Sequence, residues 1–172
     1  MTPVETDRLV LRRYEKDDVA ALVPLATEWD VTRWLPQIPH PYTEHDARTF
    51  IAQAQSLVDE RREYQLAITR KDDGALMGTI AVHVASRSIP ELGYWLGKPF
   101  WAQGFATEAA RAMVGFARNG LGLSALMARV FDGNTASERV LVKNGFALTE
   151  FHDVPNGVRG HYRYGVYQRD VR

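Results

Sequence analysis

At 172 residues, with 45% hydrophobic and 24% charged side chains, the chain has the size and composition of one globular domain with its own core. Its 21 basic and 21 acidic residues cancel, which removes any global electrostatic case for nucleic acid or an anionic membrane. The absence of cysteine excludes disulfides, a thiolate nucleophile and cysteine-ligated metals.

The first residues, Met1 to Arg8, lack the apolar stretch of a signal peptide, and no apolar run approaches membrane-spanning length, so a soluble, cytoplasmic protein is expected. His40, His45, His83, His152 and His161 have no metal-ligand spacing and read as surface or core residues; no metal is expected.

Arg8 to Tyr14 alternates polar and apolar residues and predicts a first strand. Lys16 to Trp29 has helical spacing at Val19, Leu22 and Leu25, with Pro24 expected to kink or divide it. Trp34 to Tyr42 carries Pro36, Pro39 and Pro41 and must be an irregular loop. Thr43-Glu44-His45-Asp46 resembles a capping box and opens a helix whose apolar face is Phe50, Ile51, Ala54, Leu57 and Val58. Tyr64–Thr69 and Leu76–Val84 read as a hairpin around Lys71-Asp72-Asp73-Gly74.

The strand Glu91–Leu96 follows, then a small-residue turn, a helix to about Asn119 closed by Gly120-Leu121-Gly122, and the strand Ala125–Phe131. Thr135-Ala136-Ser137-Glu138 resembles a second capping box, and Gly145 followed by Phe146 fits a helix stop. Two last strands, about 147–152 and 161–168, flank a predicted turn at Pro155-Asn156-Gly157. This order implies an α+β domain, residues 1–172, on one mostly antiparallel sheet with helices on its faces.

The chemistry concentrates in Trp101-Ala102-Gln103-Gly104-Phe105-Ala106-Thr107-Glu108. A small-residue turn between a strand end and a helix start leaves backbone N–H groups pointing outward, with the positive end of the helix dipole behind them. That arrangement suits phosphate oxygens, although many such turns carry glycine for packing alone. The turn lacks the Lys-Ser/Thr pair of a P-loop and the three-glycine spacing of a dinucleotide fingerprint.

Three ordered segments, Glu91–Leu96, Trp101–Ala109 and Asn134–Phe146, together resemble the GNAT family of acetyl-CoA-dependent N-acetyltransferases. The opening Thr6-Asp7-Arg8-Leu9-Val10-Leu11-Arg12, the loop Trp34–Thr43 and Trp101 in the turn look most like its RimJ/RimL-type branch. The resemblance implies the GNAT fold: a twisted sheet with helices on both faces and two splayed strands holding coenzyme A. It implies that the backbone of Gln103, Gly104, Phe105, Ala106 and Thr107 cradles the pyrophosphate, with Gln103 as the one polar side-chain helper. Strand groups at Tyr94, Trp95 and Leu96 would bind the pantetheine arm like an added strand, and the Asn134 amide would reach it. Asn134 reads equally well as a helix cap.

An amine at neutral pH is an ammonium and must lose a proton before it attacks a thioester. Glu91, at the start of the splayed strand where this branch often carries an acid, is the candidate base, acting directly or through water. Ser137 falls in the first helical turn, near where the resemblance places the thioester sulfur, and is the candidate acid for the departing thiolate; other members of the family use a tyrosine on this helix, and none occurs between Asn134 and Phe146. Glu108 reads instead as a partner of the helix dipole. The aromatic loop Trp29–Tyr42 and the segment Gly160–Gly165 would border the acceptor, a peptide or small-molecule amine. Relatives often carry an aspartate near the last strand; here the neighbourhood is Arg159-Gly160-His161. Relatives of this kind are monomers or homodimers. The expected function is acetyl transfer from acetyl-CoA to a primary amine in a ternary complex. The alternative is a non-catalytic coenzyme A-binding sensor or assembly module.

Overall fold

A computed structural model of the chain describes residues 1–85, 88–157 and 160–172. Two short strands, β1 (Val4–Glu5) and β2 (Leu9–Arg12), lead into helices α1 (Asp18–Thr27), α2 (Trp29–Thr32) and α3 (Glu44–Asp59). The hairpin β3 (Glu63–Arg70) and β4 (Leu76–His83) is followed by β5 (Glu91–Leu96), a 3-10 turn at Lys98–Phe100 and α4 (Phe105–Asn119). The chain ends with β6 (Ala125–Phe131), α5 (Thr135–Lys143), β7 (Ala147–Gly157) and β8 (Gly160–Asp170).

The strands form one sheet in the order β1-β2-β3-β4-β5-β6-β8-β7, antiparallel throughout except for β5 and β6. The predicted α+β fold, with its mostly antiparallel sheet and helices on both faces, is therefore present. Helix α4 buries Phe105, Ala109, Ala110, Met113, Val114 and Ala117, the 3.6-residue stripe expected of a helix lying on a sheet. It packs on Leu9, Leu66, Ile80, Leu92, Leu126 and Val130, and each such buried aliphatic contributes about 2 kcal/mol. On the other face, α1 and α3 close a second cluster around Tyr14, Leu22, Tyr42, Ile51 and Ala67. Among the described residues, no helix is long and apolar enough to cross a membrane.

Several local expectations hold in detail. Thr43 Oγ1 accepts from the Asp46 N–H at 3.2 Å, and Asp46 accepts from the Thr43 N–H at 2.8 Å, completing the capping box. After α5, Gly145 at φ +77° donates to Val142 O and Phe146 donates to Leu141 O, which is a Schellman stop.

Three expectations are corrected. Pro24 does not divide its helix: it lies on the exposed side of α1, and the break falls at Glu28, where ψ is 117°. The cap of α5 is Asn134 rather than Thr135, because Asn134 accepts from the Ser137 N–H at 3.3 Å. Pro155-Asn156-Gly157 is strand rather than turn. As β7 is the sheet edge, Pro155 can lie in it without costing a ladder bond, and the register irregularity between Val154 and Gly157 takes up the misfit.

Candidate active site

The site begins with a defect in the sheet. β5 and β6 meet only at their starts, where Glu91 opposes Met127 and the Met127 N–H donates to Pro90 O at 2.9 Å. Beyond that pair no ladder joins them, and a wedge opens toward Leu96 and Phe131. The Gly97 N–H donates to Met77 O at 2.8 Å. Because a strand's backbone groups alternate in direction, Trp95 and Gly93 also serve β4, whereas Tyr94 and Leu96 turn theirs into the wedge. Trp95 therefore shares the strand but not the opening, and its indole packs against the α1–α3 cluster.

The turn closes the mouth of the wedge. Gly104 caps α4 at φ +82°, a conformation that a Cβ would strain, and its missing side chain leaves the first-turn N–H groups of Phe105, Ala106 and Thr107 without a side-chain cap. The Trp101 indole N–H donates to Leu96 O at 2.7 Å, stapling the turn to the end of β5. The Gln103 carboxamide N–H donates to Pro99 O at 2.9 Å. The polar groups left uncapped at the first turn of α4 are backbone amides.

Glu108 holds this mouth in place. It accepts from Thr6 Oγ1 at 2.6 Å, from the Arg8 N–H at 3.0 Å and from Arg8 Nε at 2.7 Å. Burial alone would push its carboxyl up, but these hydrogen bonds outweigh it and hold the group below its ordinary value. This is a structural carboxylate that ties the opening segment to α4.

Across the wedge, the two roles weighed for Asn134 fall on different atoms. Its side-chain oxygen caps α5, leaving its NH2 group for a ligand. Ser137 meets an unforeseen partner: its hydroxyl lies 2.9 Å from the Tyr94 hydroxyl, which also donates to Ser137 O at 3.1 Å. Burial pushes the Tyr94 phenol up, so it stays neutral and able to donate. Strand alternation puts Tyr94 on the α4 side with Leu92 and Leu96, but nothing in the sequence announces a contact 43 residues away. Asn144, 3% exposed, donates to Thr107 O and Val140 O and so locks the end of α5 onto the first turn of α4.

Glu91, Gly93 and Trp95 face the opposite side. There Glu91 accepts from Arg129 Nε at 2.8 Å, and its side chain is only 12% exposed. Arg129 is the single charge in the otherwise apolar run Ala125–Phe131, a visible irregularity that the sequence reading passed over. Its guanidinium lies 5.5 Å over the Tyr164 ring, which stacks on His152. In the loop Trp29–Tyr42, Tyr42 is buried in the core, while Trp29 stands half-exposed against the His40 ring. Lys98 ties this region to the end of β5 by pairing with Asp30 at 2.6 Å. Arg159 lies outside the described residues. Among the described residues, no cluster could hold a metal ion.

A sheet split at its one parallel pair, with an uncapped helix N-terminus at the mouth and polar side chains on both faces, defines an acyl-coenzyme A transferase architecture. Free amides at the mouth and an open wedge fit the pyrophosphate and arm of the coenzyme. The pattern described as "Acetyltransferase (GNAT) domain" matches residues 8–147, and the chain belongs to this family: it is an N-acetyltransferase that uses acetyl-CoA. It is similar to the N-acetyltransferase YoaA of Bacillus subtilis, with 34% identity over 85% of this chain and 84% of that protein. The crystal structure of a GNAT-family acetyltransferase from Bacillus anthracis superimposes with a TM-score of 0.87 at 21% identity, covering 99% of both chains. RimL, a ribosomal L7/L12 alpha-N-protein acetyltransferase solved with coenzyme A, gives 0.79 at 20% identity, covering 98% of both.

Proposed function

We propose that this enzyme acetylates a primary amine, of a protein N-terminus or a small molecule, by direct attack on the thioester of acetyl-CoA in a ternary complex. The observation that carries the reading is the polarity of the split. A neutral hydroxyl pair, Tyr94 and Ser137, lies on the α4–α5 face, and a carboxylate, Glu91, lies on the other. A thioester held between β5 and β6 would then meet an amine from one face and lose its sulfur toward the other.

In this mechanism the amine nitrogen forms its bond to the acetyl carbon while Glu91 takes a proton from it, through water where needed. A wedge-facing N–H, of Tyr94 or Leu96, stabilises the oxygen that gains charge. As the carbon–sulfur bond breaks, Ser137 protonates the thiolate, held in position by Tyr94. The absence of cysteine supports transfer without an acyl-enzyme.

Trp101, the opening Thr6–Arg12 and the structural likeness to RimL support a place in the RimJ/RimL-type branch. Calorimetric titration with acetyl-CoA, followed by a transfer assay on peptides, polyamines, aminoglycosides and amino acids, tests the reading. Binding with turnover of one amine class is expected. No binding at millimolar acetyl-CoA overturns it, and binding without turnover on any amine points to a non-catalytic coenzyme sensor.

A further inference from the structure

Two protons must leave a substrate nitrogen that arrives as an ammonium and departs as an amide. Glu91 accounts for one. The strand register supplies a neighbour for the other. Glu63 on β3 opposes His83 on β4, and His83 opposes Glu91 on β5, so the three side chains form a row on the face opposite α4.

Within that row His83 is held in one orientation. Its Nδ1 lies 2.8 Å from Glu63 Oε2. A carboxylate at Nδ1 fixes the neutral ring as the tautomer that donates there, leaving the lone pair on Nε2. The free nitrogen leans over β5: a Cβ built on Gly93 would sit 3.5 Å from it. Gly93 directly precedes Tyr94, whose backbone opens into the wedge. A larger residue at 93 would stand between the imidazole and that opening. The side chains of His83 and Glu63 are 29% and 24% exposed, so water can carry a proton away. Among the described residues, Glu91 and Arg129 also bring charge to this face, and these two pair with each other.

We propose that His83, oriented by Glu63, is a general base of acetyl transfer. Resting on the acetyl-transfer reading above, the assignment gives each proton a place. His83 Nε2 takes the first proton from the ammonium, and Glu63 stabilises the imidazolium that results. The neutral amine then forms its carbon–nitrogen bond. The second proton leaves nitrogen toward Glu91 as the carbon–sulfur bond breaks and Ser137 protonates the sulfur. His83 and Glu91 release their protons to water, from which Ser137 regains one. In sum, an ammonium and a thioester give an amide, a thiol and one proton in solution.

The test uses the full chain and the best amine from the panel, with acetyl-CoA calorimetry on every variant. His83→Gln is expected to bind acetyl-CoA like the wild type while kcat falls by about 10²- to 10⁴-fold. Added imidazole is expected to restore part of the turnover of His83→Ala. Glu63→Gln is expected to lower kcat less than His83→Gln does, with KM for the amine nearly unchanged. A purely structural pair would show neither the imidazole rescue nor a fall in kcat at constant KM. Unchanged kcat in His83→Gln overturns the assignment while leaving acetyl transfer intact. Wild-type protein that does not bind acetyl-CoA overturns both.

Discussion

On the α4 side of the split, Tyr94 and Ser137 share a neutral hydrogen bond beneath two helices. On the opposite side, Glu91, Arg129, His83 and Glu63 are ionisable, paired and partly open to water. Charges are costly to strand in a low-dielectric site, whereas a neutral hydroxyl can donate there without carrying a charge of its own. In the proposed mechanism the contrast separates two tasks of acyl transfer: protons arriving with the amine go to the charged face, and the leaving sulfur is met on the neutral one.

The largest expected effect outside the His83 test comes from removing the donor on the neutral side. Ser137→Ala should lower kcat by about 10²-fold and leave acetyl-CoA affinity nearly unchanged, as expected for an interaction made only in the transition state. Tyr94→Phe, which keeps the ring and loses only the bond to Ser137, should give a smaller fall in the same direction. Wild-type turnover in both, measured by thiol release, would remove proton donation from this face.

On the charged face, Glu91→Gln should act on turnover. It should lower kcat more than it weakens acetyl-CoA binding, because a carboxamide cannot accept the proton. It also leaves Arg129 without its carboxylate, so a modest gain in salt sensitivity should accompany the loss. Unchanged turnover across the pH range would take Glu91 out of the chemistry and leave it as the ion-pair partner that closes the apex of the wedge.

How much of this was legible in the sequence follows from the range of the interactions. The strand Glu91–Leu96 and the strand Ala125–Phe131 are read to the residue, because short, mainly apolar runs between turn signals are local facts. So is the Thr43 capping box. The turn at Gly104 is equally local, since glycine before a helix answers to its own φ. What escaped depends on register or on a partner elsewhere in the chain. The row Glu63–His83–Glu91 joins three strands and exists only once their pairing is fixed. His83 alone looked like an ordinary core or surface histidine. The Gln103 carboxamide and the Asn134 cap were each within reach of two partners, and packing chose between them.

Glu108 sharpens the comparison from the structural side, because it shows what a carboxylate near the split becomes when its hydrogen-bonding capacity is spent on the fold. Thr6 and Arg8 hold it below its ordinary value. The folded chain therefore binds fewer protons than the unfolded chain at acidic pH, and the carboxylate's stabilisation is complete above the unfolded value. It is lost as the pH falls through the folded one. Glu108→Gln should cost about 1 kcal/mol at neutral pH, since some hydrogen bonds survive and Arg8 is partly exposed. That corresponds to a Tm lower by about 3 °C for a domain of this size. The gap should close as thermal melts are taken well below the ordinary carboxylate range, where the wild-type carboxylate also becomes protonated. A gap that persists in acid would assign the loss to packing at the mouth of the wedge rather than to charge.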